Sequence, residues 1–221
     1  YYFRGAELPC PEEASGGACR GLECSCDRFV EIWNNVFMEF DRQADGALSP
    51  LPAPSIDTGM GLERVTAVIQ GHLSNYETDL FTPLLRAIGE RAGTVHGGTA
   101  TSTDVSMRVV ADHLRAMTFL IADGVVPSNE WRGYVLRKIM RRAMRHGKRL
   151  GVDTPFLHTL VDVIVSEFGG AYPELREGRD TIVRVVRSEE ERFVAVLSDG
   201  LPKLEAALDA AAAAGRPVAG D

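Results

Sequence analysis

Apolar and polar positions change their period partway along this 221-residue chain. The run Phe29-Val30-Glu31-Ile32-Trp33-Asn34-Asn35-Val36-Phe37-Met38-Glu39-Phe40 has the length and the β-branched and aromatic content of a strand. Asp45-Gly46 then signals a turn, and Pro50, Pro52 and Pro54 keep the following stretch extended. Past Asp57-Thr58-Gly59-Met60-Gly61 the spacing becomes helical, with Leu62, Val65, Val68 and Ile69 in register. A strand-loop-helix junction therefore falls at the glycines. Residues 93–103, with Gly97-Gly98 and several Thr, read as a linker. Downstream the pattern is helical almost throughout. Val105, Val109, Leu114, Met117 and Ile121 predict a helix with Ser102 or Thr103 as N-cap, ended by Asp123-Gly124 and Pro127-Ser128-Asn129. Val135, Leu136, Ile139, Met140 and Ala143 mark a second helix. Two more run from about Pro155 to Phe168 and from about Leu175 into an Ala-rich tail. No internal repeat is visible.

A hydrophobic content of 45% is enough to build a core, and the length suits one large domain or two small ones. The longest apolar runs, such as Met117 to Ala122, fall far short of the roughly 20 residues that span a bilayer. With no segment of signal-peptide character, the expectation is a cytoplasmic protein with no membrane partner. The first residue is Tyr1 rather than Met, and the end lies in an Ala/Gly-rich run, so the chain reads as an internal fragment.

Charge changes this picture. The net charge is -7, yet eight Lys or Arg and no carboxylate lie between Trp131 and Arg149. The remaining 16 basic residues face 31 acidic ones. An acidic chain that gathers a third of its positive charge into one helix has a polyanion-binding surface or a solvated face paired with nearby carboxylates. Arg137, Arg141 and Arg145 recur every four residues, and Lys138, Arg142, Arg145 and Arg149 form an adjacent stripe that could track phosphates without reading sequence.

The segment Asp57 to Arg64, reading DTGMGLER, carries the most specific chemistry. Glycines at 59 and 61 allow a backbone to approach a flat or charged ligand closely. The helix beginning there turns its unpaired N–H groups toward the same space. Arg64, one turn in, can stack on a purine or fork onto phosphate oxygens. Asp57 is placed to accept from a primary ammonium group. The competing reading is a Gly-rich turn with a capping Asp and a surface Arg.

The company of these residues is informative. Ile32 to Met38, Leu51 to Arg64, Ser74 to Phe81, Arg108 to His113, Phe119 to Glu130, Arg132 to Arg137 and Met140 to Gly147 together resemble bacterial alanyl-tRNA synthetases. The resemblance is strong from about Arg28 to Gly151 and loose in the tail. It implies an α+β fold: the C-terminal part of a class II synthetase antiparallel sheet, then an all-α helical tRNA-recognition domain. The implied domains are residues 1–92 for the end of the aminoacylation domain, 93–103 for a linker and 104–221 for acceptor-stem recognition.

It also implies roles. GMGLER resembles the third class II signature motif, with Arg64 on the ATP side. Asp57 would hold the α-ammonium of L-alanine, with Val36 and Gly59 lining a methyl-sized pocket. Ile32, Trp33, Asn34 and Gly61 would bound the site of ATP, with its Mg²⁺, and of the adenylate. Asp57 and Arg64 are thus the catalytic candidates. A pocket of that size discriminates single methyl or hydroxyl groups only about 10- to 200-fold, and the family's editing domain is absent here. Asn129 matches a position expected to contact the G·U pair of the acceptor stem of tRNA for alanine; an N-cap role is the alternative. Arg137, Arg141, Arg142 and Arg145 would accompany it. The family's other class II motifs, its second wobble-pair contact and its zinc region fall outside this chain, so the chain alone is expected to be inactive in alanine activation.

Cys10, Cys19, Cys24 and Cys26 are the chain's four cysteines. Four thiols admit a tetrahedral zinc site, but the spacings of eight, four and one intervening residues lack CxxC knuckles. The reading is therefore free thiols in an insertion and no metal ligand, with zinc and a disulfide left open. His113 beside Asp112 is read as structural, because neighbours on a helix face different ways and attack by an ionised carboxylate needs no base. Two further readings remain: a non-catalytic RNA-binding module using helix 132–149, for which the glycine motif has no use, and a metal-dependent structural domain built on the cysteines.

Overall fold

The computed structural model describes residues 1–217, which form two compact units, one from Tyr1 to Leu80 and the other from Phe81 onward. The fold is mixed, with helices dominating and two small antiparallel sheets, as an α+β reading requires.

In the first unit β1 (Tyr2–Phe3) pairs with β2 (Phe29–Val30), and between them run a short helix α1 (Pro11–Ala14) and a 3-10 turn at Gly21–Glu23. Next, β3 (Trp33–Arg42) and β4 (Leu48–Met60) make an antiparallel ribbon. The expected single strand from Phe29 to Phe40 is therefore two. Glu31 and Ile32 separate them because β2 and β3 serve different ladders. Every residue of β3 is exposed, which explains why its sequence shows no strict alternation of apolar and polar positions. The Asp45-Gly46 signal holds: Gly46 has φ 86°, its N–H reaches Gln43 O at 2.9 Å, and Asp45 Oδ1 accepts from Ala47 N at 3.0 Å. Helix α2 (Leu62–Ile69) follows directly on β4.

The second unit is all-helical: α3 (Thr82–Ala92), α4 (Ser102–Ala122), α5 (Trp131–Arg149), α6 (Leu157–Phe168), α7 (Pro173–Glu177) and α8 (Arg179–Ala213). Its core comprises fully buried Leu84, Ile88, Met107, Leu114, Met117, Leu136, Met140, Leu157, Ile164, Leu175 and Ile182. Each such side chain contributes roughly 1.5–3 kcal/mol relative to exposure. Helix α3 packs on α4 and α6, so residues 82–92 belong with this unit, ahead of the expected 93–103 boundary. Among the described residues no helix is long and apolar enough to cross a membrane.

Residues 97–104 are more ordered than their composition suggests. The N-cap of α4 is Thr101, one residue before the positions expected from the sequence; its Oγ1 accepts from Asp104 N at 3.2 Å. The Asp104 carboxylate turns back to accept from Gly97 N at 2.8 Å, Thr99 N at 2.7 Å and the Thr99 hydroxyl. The Thr99 hydroxyl, then these backbone N–H groups, hold its pKa well below the usual carboxylate range.

Two adjacent buried carboxylates on α8 organise the bundle. Glu190 Oε1 accepts from Phe156 N at 2.8 Å and Leu157 N at 2.7 Å, while Oε2 accepts from His158 N at 3.1 Å and lies 2.7 Å from His158 Nδ1. It thereby supplies the N-terminal cap that α6 lacks locally, since Phe156 has no capping side chain. Glu190→Ala leaves those buried N–H groups without acceptors; the expected loss is roughly 2–4 kcal/mol in denaturant unfolding, with α6 amides exchanging fastest.

Candidate functional site

In the β3–β4 ribbon, side chains directly across from each other share a face. Val36 stands opposite Asp57 and Asn34 opposite Gly59. Alternation then puts Asn34, Val36, Asp57 and Gly59 together on one face. Gly59 has no atom within 4 Å of where a Cβ would sit, so this face is open at the end nearest α2. Trp33, expected to border the same space, lies on the opposite face with Asn35, Thr58 and Met60. There its indole N–H donates to Thr58 Oγ1, and the Thr58 hydroxyl donates to Asn35 Oδ1 at 2.7 Å.

The ribbon runs straight into α2. Gly61 is the N-cap and offers no side-chain acceptor, so the first N–H groups of α2 keep their capacity for an anion. Gly61 N donates to Ile32 O at 3.1 Å, which fixes Ile32 at the junction. Arg64 is exposed; its Nη1 donates to Glu31 O at 2.9 Å, anchoring the guanidinium beside the start of β3. A Cβ on Gly61 would sit 3.4 Å from Arg64 Cδ, in ordinary van der Waals contact with that side chain.

The second site candidate is α5. Its basic residues divide by environment. Arg137 and Arg141 turn inward, Nε of each lying 3.2 Å and 3.0 Å from Glu189 Oε1, a carboxylate only 2% exposed. Arg132, Lys138, Arg142, Arg145, Lys148 and Arg149 are exposed. Lys138, Arg142 and Arg145 line a groove with Tyr134, Val135 and Phe193; Lys138 sits 5.4 Å above the Tyr134 ring and Arg141 5.5 Å above that of Phe193. His113 is at its edge, with Nδ1 3.0 Å from Asp112 Oδ2 and Nε2 3.4 Å from Arg142 Nη1. Although adjacent on a helix, His113 and Asp112 do meet, and this contact lowers the pKa of Asp112.

Asn129 lies in the loop just before α5, exposed, and its Oδ1 accepts from Arg137 Nη1. It does not cap α5; Glu130 is the N-cap and has no capping side chain, while Ser128 Oγ accepts from Glu130 N at 3.3 Å. Arg137 Nη2 also donates to Pro127 O at 3.2 Å, so Arg137 orders the whole loop. Trp131, which the sequence reading passed over, is 87% exposed beside Asn129 with φ 52°, an unusual backbone for a bulky residue. Its signal in the sequence was an aromatic residue at the start of a basic helix.

The cysteines lie closer together than their spacing suggests. The four Sγ atoms of Cys10, Cys19, Cys24 and Cys26 lie within 4.8 Å of one another, and none is in a disulfide. The Cys24 thiol is drawn down to about 7, first by the backbone N–H of Cys26.

The chain belongs to the tRNA synthetases class II (A) family, whose model matches residues 10–219. Within it, the chain is 58% identical over 205 residues to an alanine–tRNA ligase of Anaeromyxobacter sp. (strain Fw109-5), covering 93% of this chain and 23% of that protein. It is 51% identical over 224 residues to the alanine–tRNA ligase of Myxococcus xanthus (strain DK1622), covering 100% and 25%. With that of Acidithiobacillus ferridurans the identity is 51% over 218 residues, covering 98% and 24%. These relatives are aminoacyl-tRNA ligases, and the chain spans about a quarter of their length.

The loop carrying Asn129 depends on Gly133, whose added Cβ would meet Val126 O at 2.4 Å and Ser128 Oγ at 2.3 Å. Gly133→Ala is expected to displace the loop and break the Asn129–Arg137 contact, seen as faster amide exchange over residues 126–133, with the helical far-ultraviolet signal retained.

Proposed function

We propose that this chain is the part of an alanine–tRNA ligase that joins the trailing strands of the class II sheet to the helical acceptor-stem domain. The observation that carries the reading is the shared face of Asn34, Val36, Asp57 and Gly59, leading into the uncapped start of α2 beside Arg64. Asp57 supplies a carboxylate for the ammonium group of L-alanine. Val36 and the bare Gly59 line the space for its methyl group. The alanine carboxylate attacks the α-phosphate of bound ATP, the α–β phosphoanhydride bond breaks and pyrophosphate leaves; Mg²⁺ would offset the charge of the phosphates. Toward that nucleotide the chain contributes Arg64, the α2 N–H groups, the glycine backbone at 61, and Ile32 and Asn34 at the ribbon's start. An exposed Arg and an open helix N-terminus fit a polyphosphate. Trp33, on the other face, supports the ribbon through Thr58.

The α5 groove takes the acceptor stem. Arg142, Arg145 and Lys138 lie against phosphates, Asn129 meets the wobble-pair edge, and Arg137 and Arg141 hold the platform through Glu189. Trp131 adds a flat surface for a base. The alternative, a pure RNA-binding module, draws on the second unit alone and leaves the Asp57 face without a use.

Two measurements test this reading. Binding of the chain to tRNA for alanine is expected to fall steeply with salt, with a slope set by roughly three to five phosphate contacts. It is also expected to weaken several-fold when G·U becomes G·C; equal binding to both would leave only phosphate tracking. The 221-residue chain by itself is expected to give no alanine-dependent pyrophosphate exchange, and measurable exchange would refute the need for further segments.

A further inference from the structure

The first 30 residues contain little that could hold them in place. Only Cys10, Cys26 and Arg28 are buried there, and the regular elements are strands of two residues, a four-residue helix and one 3-10 turn. A segment of this kind cannot bury enough apolar surface to fix its own shape, and such segments are commonly stapled by metals or disulfides. Yet the four thiols of the chain, spread over 17 residues, converge at its centre.

Their geometry distinguishes between staples. Zn²⁺–thiolate bonds of about 2.3 Å place the sulfurs of a tetrahedral site about 3.8 Å apart. Cys10 Sγ and Cys24 Sγ are 3.6 Å apart, Cys19 Sγ and Cys26 Sγ are 3.8 Å apart, and all four lie within 4.8 Å. Two disulfides would separate the sulfurs into two tight pairs near 2.05 Å; here the four form a single cluster and none is bonded. The surroundings also suit thiolates. Backbone N–H groups reach the sulfurs of Cys10 (from Glu12 and Glu13), Cys24 (from Cys26) and Cys26 (from Arg28). The Arg28 guanidinium lies beside Cys19 and is held by Glu13 Oε1 at 2.6 Å, Glu13 Oε2 at 2.8 Å and Leu8 O at 2.7 Å. It supplies positive charge next to a site whose four thiolates and one Zn²⁺ would carry a net charge of -2.

We propose that Cys10, Cys19, Cys24 and Cys26 form a four-thiolate structural zinc site that fixes the segment between β1 and β2. All four positions are protein ligands, so the site is closed and has no place for substrate or water. Binding forms four Zn–S bonds and releases the protons the thiols carried, so affinity rises with pH. The irregular spacing is no obstacle, because α1 and the 3-10 turn fold the chain back between the ligands. The site orders the residues that lead into β3, where the Asp57 face is built, but it takes no part in chemistry there.

The test uses the whole chain, purified anaerobically in the presence of a reductant and passed over a weak chelating resin. Elemental analysis is expected to give about one zinc per chain, and Cys24→Ser and Cys19→Ser each to lower this at least about fivefold. Because such variants could misfold, apo wild type is also titrated with Co²⁺. A single equivalent is expected to produce thiolate charge-transfer bands and the ligand-field envelope of tetrahedral cobalt, displaced by zinc with four sulfurs protected from alkylation. Zinc content near zero with all four thiols alkylating rapidly would overturn the proposal. So would disulfides found by mass spectrometry, or full zinc retention in either serine variant.

Discussion

Glu189 and Glu190 are consecutive on α8 and both are buried, yet they serve different helices. Successive residues on a helix point about 100° apart. One carboxylate therefore meets the inward arginines of α5 while its neighbour caps the start of α6. Two buried negative charges side by side would be costly without such partners. With them, α5, α6 and α8 are fixed in one relative arrangement. The bundle's polar surface depends on this pair, because it decides which of the α5 cations turn inward and which face solvent.

The consequence reaches the loop before α5. Arg137, drawn in toward Glu189, also donates to Asn129 and to Pro127 O. A residue counted as one more phosphate contact in a stripe thus positions the side chain proposed to read a base pair. Gly133 completes the arrangement by letting the loop lie directly on the first turn of α5. Charge, loop shape and the Asn129 side chain are coupled through one buried carboxylate.

In the other unit the ordering principle is the pleat. Asn34, Val36, Asp57 and Gly59 meet because they occupy alternate positions on paired strands in one register. A slip by one residue would send each to the opposite face. The Gly46 turn sets the register at one end and the Gly61 N–H to Ile32 O hydrogen bond closes it at the other, with an irregularity between Met38 and Phe40 absorbing the mismatch. The thiol cluster precedes this ribbon: four unevenly spaced cysteines meet because short turns bring them back to one point.

Much of this was legible in the residues. Helical periodicity located α2, α4, α5 and α6, Asp45-Gly46 located the hairpin turn, and the glycine motif located the strand-to-helix junction. These are local properties, written in side-chain period and in backbone freedom. The basic character of α5 was equally plain from composition. Other features were decided only when distant segments met. The break at Glu31 depends on which strand pairs with which, and the grouping of α3 with the helical unit depends on what its apolar face packs against. Trp33 turns away from Asp57 because register, not proximity in sequence, assigns faces. Spacing rules argued against the four cysteines acting together, since a spacing rule assumes one kind of turn, whereas three-dimensional convergence requires only that the intervening chain can fold back. The inward turn of Arg137 and Arg141 likewise follows from a carboxylate about 50 positions away, a partner that no local pattern can reveal.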